Sequence, residues 1–409
     1  MANILYLVHR LPYPPNKGDK VRSFNLLKHL LLSHRVFLGT FLDDPEDENY
    51  VQTLKDLCVE AHVVELNKAR AKMRAAIALL SNDSLSVSYY DSKSMAKWVN
   101  KIYSEEKIDC TIVFSSVMAQ FVPEDKYSNA LVDFVDVDSA KWLQYAKSRR
   151  WPMSWIFQRE SECLLKFEES VSEKAKQTFL VTQDEVDLYR KLAPASSSRV
   201  SAMMNGVDDV YFSPLKSRHS PYENSDEKKD LEIPLVFTGA MDYWPNIDAA
   251  QWFVGSILPA LLNINRNFKF YIVGRNPTPA VLGLMSKSVV VTGTVSDVRP
   301  YLQHAAIVVA PLRLARGIQN KILEAMAMAK PVVASEACVK VIGAKEGLEI
   351  FSAANETAFV EKILALSKDP DQGALVGRAA RDKVISDFSW KAHLGKFDEH
   401  IASCEIENT

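Results

Sequence analysis

The chain has 409 residues, 47% apolar and 24% charged, with a formal net charge of -2 at pH 7. That balance excludes a disordered or fibrous protein, and the near-neutral charge gives no global field for nucleic acid, so no nucleic-acid partner is expected. The length exceeds one ordinary core and suits two domains of roughly 200 residues each.

The N-terminal run MANILYLVHRLPYPPNKG holds an apolar stretch, Ile4 to Val8, too short for a signal-peptide core and without a preceding basic region. It reads as a first strand. No window approaches the roughly 18 consecutive apolar residues of a membrane-spanning helix, so any membrane contact is expected to be peripheral. The five cysteines, Cys58, Cys110, Cys163, Cys338 and Cys404, are widely spaced with no C-x-x-C pair. They suggest neither a disulfide frame nor a zinc site, and they fit a reducing, cytoplasmic setting.

Short β-rich runs then alternate with helical patterns, the signature of parallel βαβ units. The first-half strands are expected at Asn3 to Val8, Arg35 to Phe41, Ala61 to Leu66, Asp109 to Phe114, Ala130 to Val135, Thr178 to Val181 and Arg199 to Ala202. A helix is predicted over Lys20 to Ser33, where Val21, Phe24, Leu27, Leu30 and Leu31 recur at helical spacing. Leu215 to Glu232 is polar and charged without periodicity, and reads as a linker. A second sheet follows with Leu235 to Gly239, Phe268 to Val273, Val289 to Thr292, Ile307 to Ala310 and Pro331 to Ala334. After Ser386, Phe388, Trp390, Leu394, Phe397 and Ile401 predict a final amphipathic helix. The expected domains are 1–212, 213–385 and a C-terminal helix, 386–409.

Open parallel sheets collect ligands at the carboxyl ends of their strands, so the loops after strands are the candidate sites. In His9 to Arg22 the prolines fix an extended path, Gly18 permits close approach, and Lys17, Lys20 and Arg22 bring positive charge to a helix start, as a phosphate or sugar needs. No G-x-G-x-x-G fingerprint follows this strand or the one at Leu235. In FTGAMDYWPNIDAAQWF, Phe237 to Phe253, Gly239 allows a ligand close to the chain and Asn246 is a candidate helix N-cap. Gly293 to Ala305 offers Gly293, Ser296 and Asp297 as a turn for a nucleobase edge or as a helix cap. Ala310 to Ser335 is the richest: Gly317 is expected to open a helix, Arg313, Arg316 and Lys321 carry charge for a diphosphate, and Glu324 shares a face with Asn320 and Lys321. A plain Lys321 to Glu324 ion pair would place the same two residues there.

GIQNKILEAMAMAKPVVAS, with FTGAMDYWPNIDAAQWF and NGVDDVYFSP at Asn205 to Pro214, resembles the retaining glycosyltransferases of family 4, which have the GT-B fold. The N-terminal loop and VDFVDVDSAKW, Val132 to Trp142, look most like sugar transferases of bacterial exosortase and exopolysaccharide systems. The resemblance implies two doubly wound Rossmann-like domains facing a central cleft, with a C-terminal helix returning to the first domain. It implies a nucleotide-sugar donor, UDP- or GDP-linked, in the second domain, and a glycan or lipid-linked acceptor on the first. Glu324 then holds the donor ribose and Arg313 and Lys321 stand near its phosphates. Gly18, Gly239, Val295, Arg316, Gly317, Ile318, Gln319 and Asn320 complete the donor-binding set. One departure is visible: the family often has a sugar-contacting glutamate eight positions before the second, and here that position is Arg316.

No serine, histidine and aspartate set or metal-ligand cluster presents itself, so neither a cofactor nor a metal is expected, and electrostatics carries the chemistry. Front-face transfer with retention is the expected mechanism. Asp136 is a candidate acceptor-side base, while Asp138 stands equally as a helix cap. The basic-aromatic stretches Asn67 to Leu80 and Lys147 to Phe157 suit peripheral contact with the inner membrane, or are ordinary solvated faces. A sugar-nucleotide epimerase or hydrolase of the same shape and a non-catalytic binding protein are the alternatives. A solute-binding protein would need a signal peptide, which the N-terminal run is not expected to supply.

Overall fold

A computed structural model of the protein describes residues 1–15, 18–215, 217–222, 232–313 and 318–407. It divides into two compact units, Met1–Asn205 with His393–Thr409, and Gly206–Ala392. The boundaries are therefore Asn205/Gly206 and Ala392/His393 rather than 212/213 and 385/386. The reason is local: Val207 N donates to Phe388 O at 2.7 Å, and Arg381 donates to the carbonyls of Phe212 at 3.0 Å and Asp209 at 3.2 Å. The NGVDDVYFSP segment is thereby fixed to the second unit from Val207 onward.

The first unit is built on a seven-stranded sheet: β1 Asn3–Val8, β2 Arg35–Leu42, β3 Glu60–Glu65, β4 Cys110–Phe114, β5 Ala130–Val135, β6 Gln177–Leu180 and β7 Val200–Ala202. Their order is β3-β2-β1-β4-β5-β6-β7, every pairing parallel. Helices cover such a sheet on both faces, which is why its central strands read as continuous apolar runs rather than alternating ones.

Helix α1, Gly18–Leu31, buries Leu26, Leu27 and Leu30 completely. It also buries two cations that the sequence reading assigned to a ligand. Arg22, 1% exposed, donates through Nε to Asp133 Oδ2 at 2.7 Å, through Nη2 to Oδ1 at 3.1 Å, and through Nη1 to Asn205 at 2.8 Å. Lys20 is paired with buried Asp47. A charge desolvated to this degree is tolerable only when partnered, so Lys20 and Arg22 hold the fold and are not presented to a phosphate. Lys17 lies outside the described residues.

Four further helices matter: α2 Lys68–Ile77, α3 Leu85–Tyr89, α4 Asp138–Ser148 and α5 Met153–Lys174. The 22-residue α5 ties the others together. Its Glu160 accepts from Ser84 Oγ at 2.7 Å, Leu85 N at 2.5 Å and Ser86 N at 2.9 Å, covering the start of α3. Its Arg159 donates to Ala78 O at 2.7 Å. Its Glu168 accepts from Ser139 Oγ at 2.6 Å and N at 3.4 Å, joining α4. The expected C-terminal helix forms as Trp390–Glu407, and Phe397, Ile401 and Cys404 are buried in the first unit, with the Phe397 ring 4.6 Å from that of Phe179.

The second unit has six parallel strands, β8 Ile233–Thr238, β9 Phe268–Val273, β10 Val289–Gly293, β11 Ile307–Ala310, β12 Val332–Ser335 and β13 Phe351–Ala353, in the order β10-β9-β8-β11-β12-β13. The last is a strand the sequence reading did not expect. Two helices frame its ligand side, α6 Trp244–Trp252 and α7 Asn320–Ala327. The helical stretch Trp244–Ile264 has the length and mean apolarity of a membrane span. It is broken by Asn246, Asp248 and Gln251 and buries Ala249, Ala250, Phe253, Ile257, Leu258 and Leu261 in the second core, so it is a packing helix.

Burial pushes the Glu168 carboxyl up to about 8, against 4.5 for an ordinary glutamate, and the Ser139 bonds oppose the shift only partly. A folded-state pKa raised in this way gives stability that is complete below 4.5 and lost as pH rises through about 8. Glu168→Gln is therefore expected to melt above the parent protein at pH beyond 8 and close to it in acid. Thermal unfolding followed by circular dichroism across that range checks this, and identical curves at both ends would refute it.

Candidate active site

The order of the second sheet reverses between β8 and β11, the switch point where open α/β sheets place ligands. Loops following β8, β9, β10 and β11 line one cavity there of about 560 Å³. Two glycines allow the loops to converge. A Cβ on Gly274, just past β9, would stand 1.6 Å from Gly239 O, and one on Gly239 (φ 155°) would stand 2.7 Å from Asn246 Nδ2 and 3.0 Å from Lys321 Nζ. The first is a collision of backbone with side chain that no rotamer relieves. Gly274→Ala is expected to lower the melting temperature and to abolish ligand binding in this cavity. Wild-type melting in that variant would refute the crossing.

Asn246 was expected as the cap of its helix. Instead α6 begins two residues earlier at Trp244, with Pro245 in the first turn, and Asn246 lies inside it, 4% exposed. Its Nδ2 donates to Ala240 O at 2.8 Å and its Oδ1 accepts from Lys321 Nζ, so one amide fixes both the β8 loop and the lysine. Helix α7 likewise opens at Asn320, with Gln319 preceding it, rather than at Gly317. Its positive dipole end and Lys321 therefore meet at the cavity.

Lys321 and Glu324 are one helical turn apart, and both line the cavity. Burial lowers the Lys321 ammonium to about 8, with the Glu324 charge resisting, and raises the Glu324 carboxyl to about 7, with Lys321 resisting. Each group therefore keeps its charge only by a narrow margin near neutral pH, and burial works against both. A ligand that needs an ionised Glu324 and a protonated Lys321 should bind best between those two values, weakening as pH falls through about 7 and again as it rises through about 8. Calorimetric titration with UDP and GDP against pH tests this, with Glu324→Gln expected to lose the acidic limb alone. A flat profile in the parent protein would contradict the assignment.

Of the residues singled out from sequence, Gly239, Val295, Ile318, Gln319, Asn320, Lys321 and Glu324 come together around this cavity. Arg316 and Gly317 lie outside the described residues. Arg313 is not among the cavity residues: its Nε donates to Asp248 Oδ2 at 3.0 Å, its Nη2 to Oδ1, and its guanidinium stands 5.4 Å from the Trp252 ring. Gly18 is the first residue of α1. Asp136 follows β5 just beyond a bulge where Val135 takes φ 70°, unusual for a β-branched residue, and it pairs with Lys141 at 2.7 Å. Asp138 begins α4 and holds the same lysine at 3.0 Å.

Sequence reasoning missed Arg275 and Tyr243, both exposed at the cavity. Arg275 directly follows Gly274 at the end of β9, and unlike Arg313 it makes no ion pair among the described residues. The available signal was a strand ending in Val273, Gly274 and Arg275, a glycine for close approach followed by a cation.

Residues 232–369, which contain the whole cavity, match the family of glycosyl transferases group 1. No curated protein matches the sequence. Among solved structures, sucrose-phosphate synthase from Thermosynechococcus elongatus is 16% identical with a TM-score of 0.61 over 100% of both chains. A glycosyltransferase from Rickettsia africae is 17% identical with a TM-score of 0.60, over 100% of this chain and 99% of that one. Anabaena Alr3699/HepE in complex with UDP is 12% identical with a TM-score of 0.60, over 98% of this chain and 100% of that one. The chain thus has the GT-B fold, two parallel-sheet α/β units. The group 1 domain and this fold together support glycosyltransferase function.

Proposed function

We propose that the protein moves a sugar from a UDP- or GDP-linked donor to an acceptor hydroxyl of a glycan or lipid-linked intermediate, with retention of anomeric configuration. The observation that carries this reading is the Lys321 and Glu324 pair at the start of α7, in a cavity lined by four strand-end loops. In support, Anabaena HepE structures hold UDP and UDP-glucose, and a TarM structure holds UDP with α-GlcNAc-glycerol.

In this mechanism Glu324 accepts the ribose hydroxyls, while Lys321, Arg275 and the positive end of α7 neutralise the diphosphate. The bond from C1 of the sugar to the phosphate oxygen breaks as the acceptor oxygen bonds to C1 from the same face. The acceptor proton passes to the departing phosphate oxygen. Charge stabilisation by fixed cations requires no cofactor and no metal. Arg313 matches a basic position near the donor phosphates in the family resemblance, Arg316 stands where the family often has a glutamate, and Asp136 is the acceptor-side carboxylate that orients the hydroxyl. Family 4 membership and a role in exopolysaccharide or cell-envelope glycan synthesis rest on the motif resemblance. A cytoplasmic location, on the inner face of the membrane, fits five cysteines that form no disulfide.

The deciding assay measures release of nucleoside diphosphate from a panel of sugar nucleotides with cell-envelope acceptor extract. Release is expected to require acceptor, to fall at least about a hundredfold in Glu324→Gln, and to fall about tenfold or more in Arg275→Ala. Asp136→Asn is expected to lower transfer without changing donor affinity. Epimerisation or hydrolysis of a donor without acceptor would replace the transferase reading with the alternative enzyme, and binding without any reaction would reduce the protein to a nucleotide-sugar receptor.

A further inference from the structure

The tip of the α4 and α5 hairpin presents two exposed tryptophans. Between the two helices lie Arg149, Arg150, Trp151 and Pro152, all exposed; Trp151 is 80% exposed, and Trp155, one turn into α5, is 53% exposed. Trp151 is the most exposed tryptophan among the described residues, and a large aromatic in water at this level is unusual. The hairpin that presents it is rigid: Trp142 and Phe157 pack at 5.2 Å, and Ser139 is bonded to Glu168 at the far end.

A second apolar element stands beside the first. Arg159 is four residues beyond Trp155, on the same face of α5, and its guanidinium holds the carbonyls of Ala78 and Ser81. Those two carbonyls bracket Leu80, 90% exposed, in the turn Ala78–Leu80 that follows α2, where Ile77 is 61% and Met73 60% exposed. Trp155 therefore lies between the hairpin tip and Leu80, and the two elements form one surface.

The two segments that form this surface are basic, although exposed Asp83 lies beside Arg159 and Lys141 is paired with Asp136 and Asp138. Segment 67–80 carries Lys68, Arg70, Lys72 and Arg74 with no Asp or Glu, and segment 139–159 carries Lys141, Lys147, Arg149, Arg150 and Arg159, again with no acid. This happens in a chain whose total is -2. Apolar side chains that include tryptophan, carried on two segments rich in lysine and arginine with no carboxylate of their own, complement a plane that is hydrocarbon below and anionic above. We propose that the protein docks by this surface on an anionic lipid bilayer, with Leu80, Trp151 and Trp155 entering the headgroup and acyl boundary and Lys68, Arg70, Lys147, Arg149 and Arg150 on the headgroups. The inference names the partner surface for a lipid-linked acceptor but does not depend on the transferase reading, because lipid binding needs neither donor nor acceptor.

Flotation of the full chain with phosphatidylglycerol vesicles, and with phosphatidylcholine vesicles as the neutral control, tests it. Binding is expected to phosphatidylglycerol, weakening with added salt, with a blue shift of tryptophan emission. Leu80→Ser with Trp151→Ser is expected to weaken binding roughly tenfold or more, because each large side chain withdrawn from the boundary carries a factor of that order. Arg149→Ser with Arg150→Ser should weaken binding to the anionic vesicles only. Both variants alter exposed residues outside the donor cavity, so an unchanged circular dichroism spectrum and melting temperature verify their fold. Failure to float with phosphatidylglycerol, or equal, salt-insensitive flotation with both lipids, overturns the proposal. So does lipid-free self-association that the same substitutions abolish, which would assign the patch to a second copy of the chain.

Discussion

The passage of the Gly239 and Gly274 chains against one another governs the second unit. With a side-chain atom at Gly274 the loops after β8 and β9 would have to separate, and Asn246 would lose its hold on Ala240 and Lys321 together. The cavity, the orientation of the lysine and the disfavoured ionisation of its neighbour all follow from one backbone contact. This is a constraint of excluded volume rather than of attraction, and it explains how a site with few strong bonds stays defined without a ligand.

Positive charges in this protein divide into two populations. Arg22, Lys20 and Arg313 are matched to carboxylates on neighbouring elements, and Arg381 fastens a connecting segment through backbone oxygens. Lys321 sits beside a carboxylate too, but in a place where burial sets both groups against their charges. The first population holds structure that is already complete. The second retains unsatisfied electrostatic potential, which is what an anionic substrate can relieve.

The strands of both sheets were legible because a parallel sheet covered on both faces demands predominantly apolar runs: LYLV and IVVA are uninterrupted, and LVDFV and FKFYIV carry one charged residue each. Phe351–Ala353 was not legible, since a three-residue edge strand with one polar member has no periodicity to detect. Glu324 and Lys321 could be paired from their spacing alone. The roles of Lys20, Arg22 and Arg313 could not, because sign of charge is written in the sequence while the partner is not: Asp133 lies 111 positions from Arg22 and Asp248 65 from Arg313. Arg275 escaped notice for the converse reason, having no neighbouring motif to mark it.

The helix Trp390–Glu407 starts in one unit and ends in the other, since the contact boundary falls within it at Ala392/His393. Phe397, Ile401 and Cys404 fill space against a sheet whose strands were all laid down before Met203. During synthesis the first sheet must therefore wait, with that apolar face uncovered, while the entire second unit emerges. The order of the chain thus runs against the order of its cores, and the interval between them is when this protein is most exposed to aggregation or in need of a chaperone.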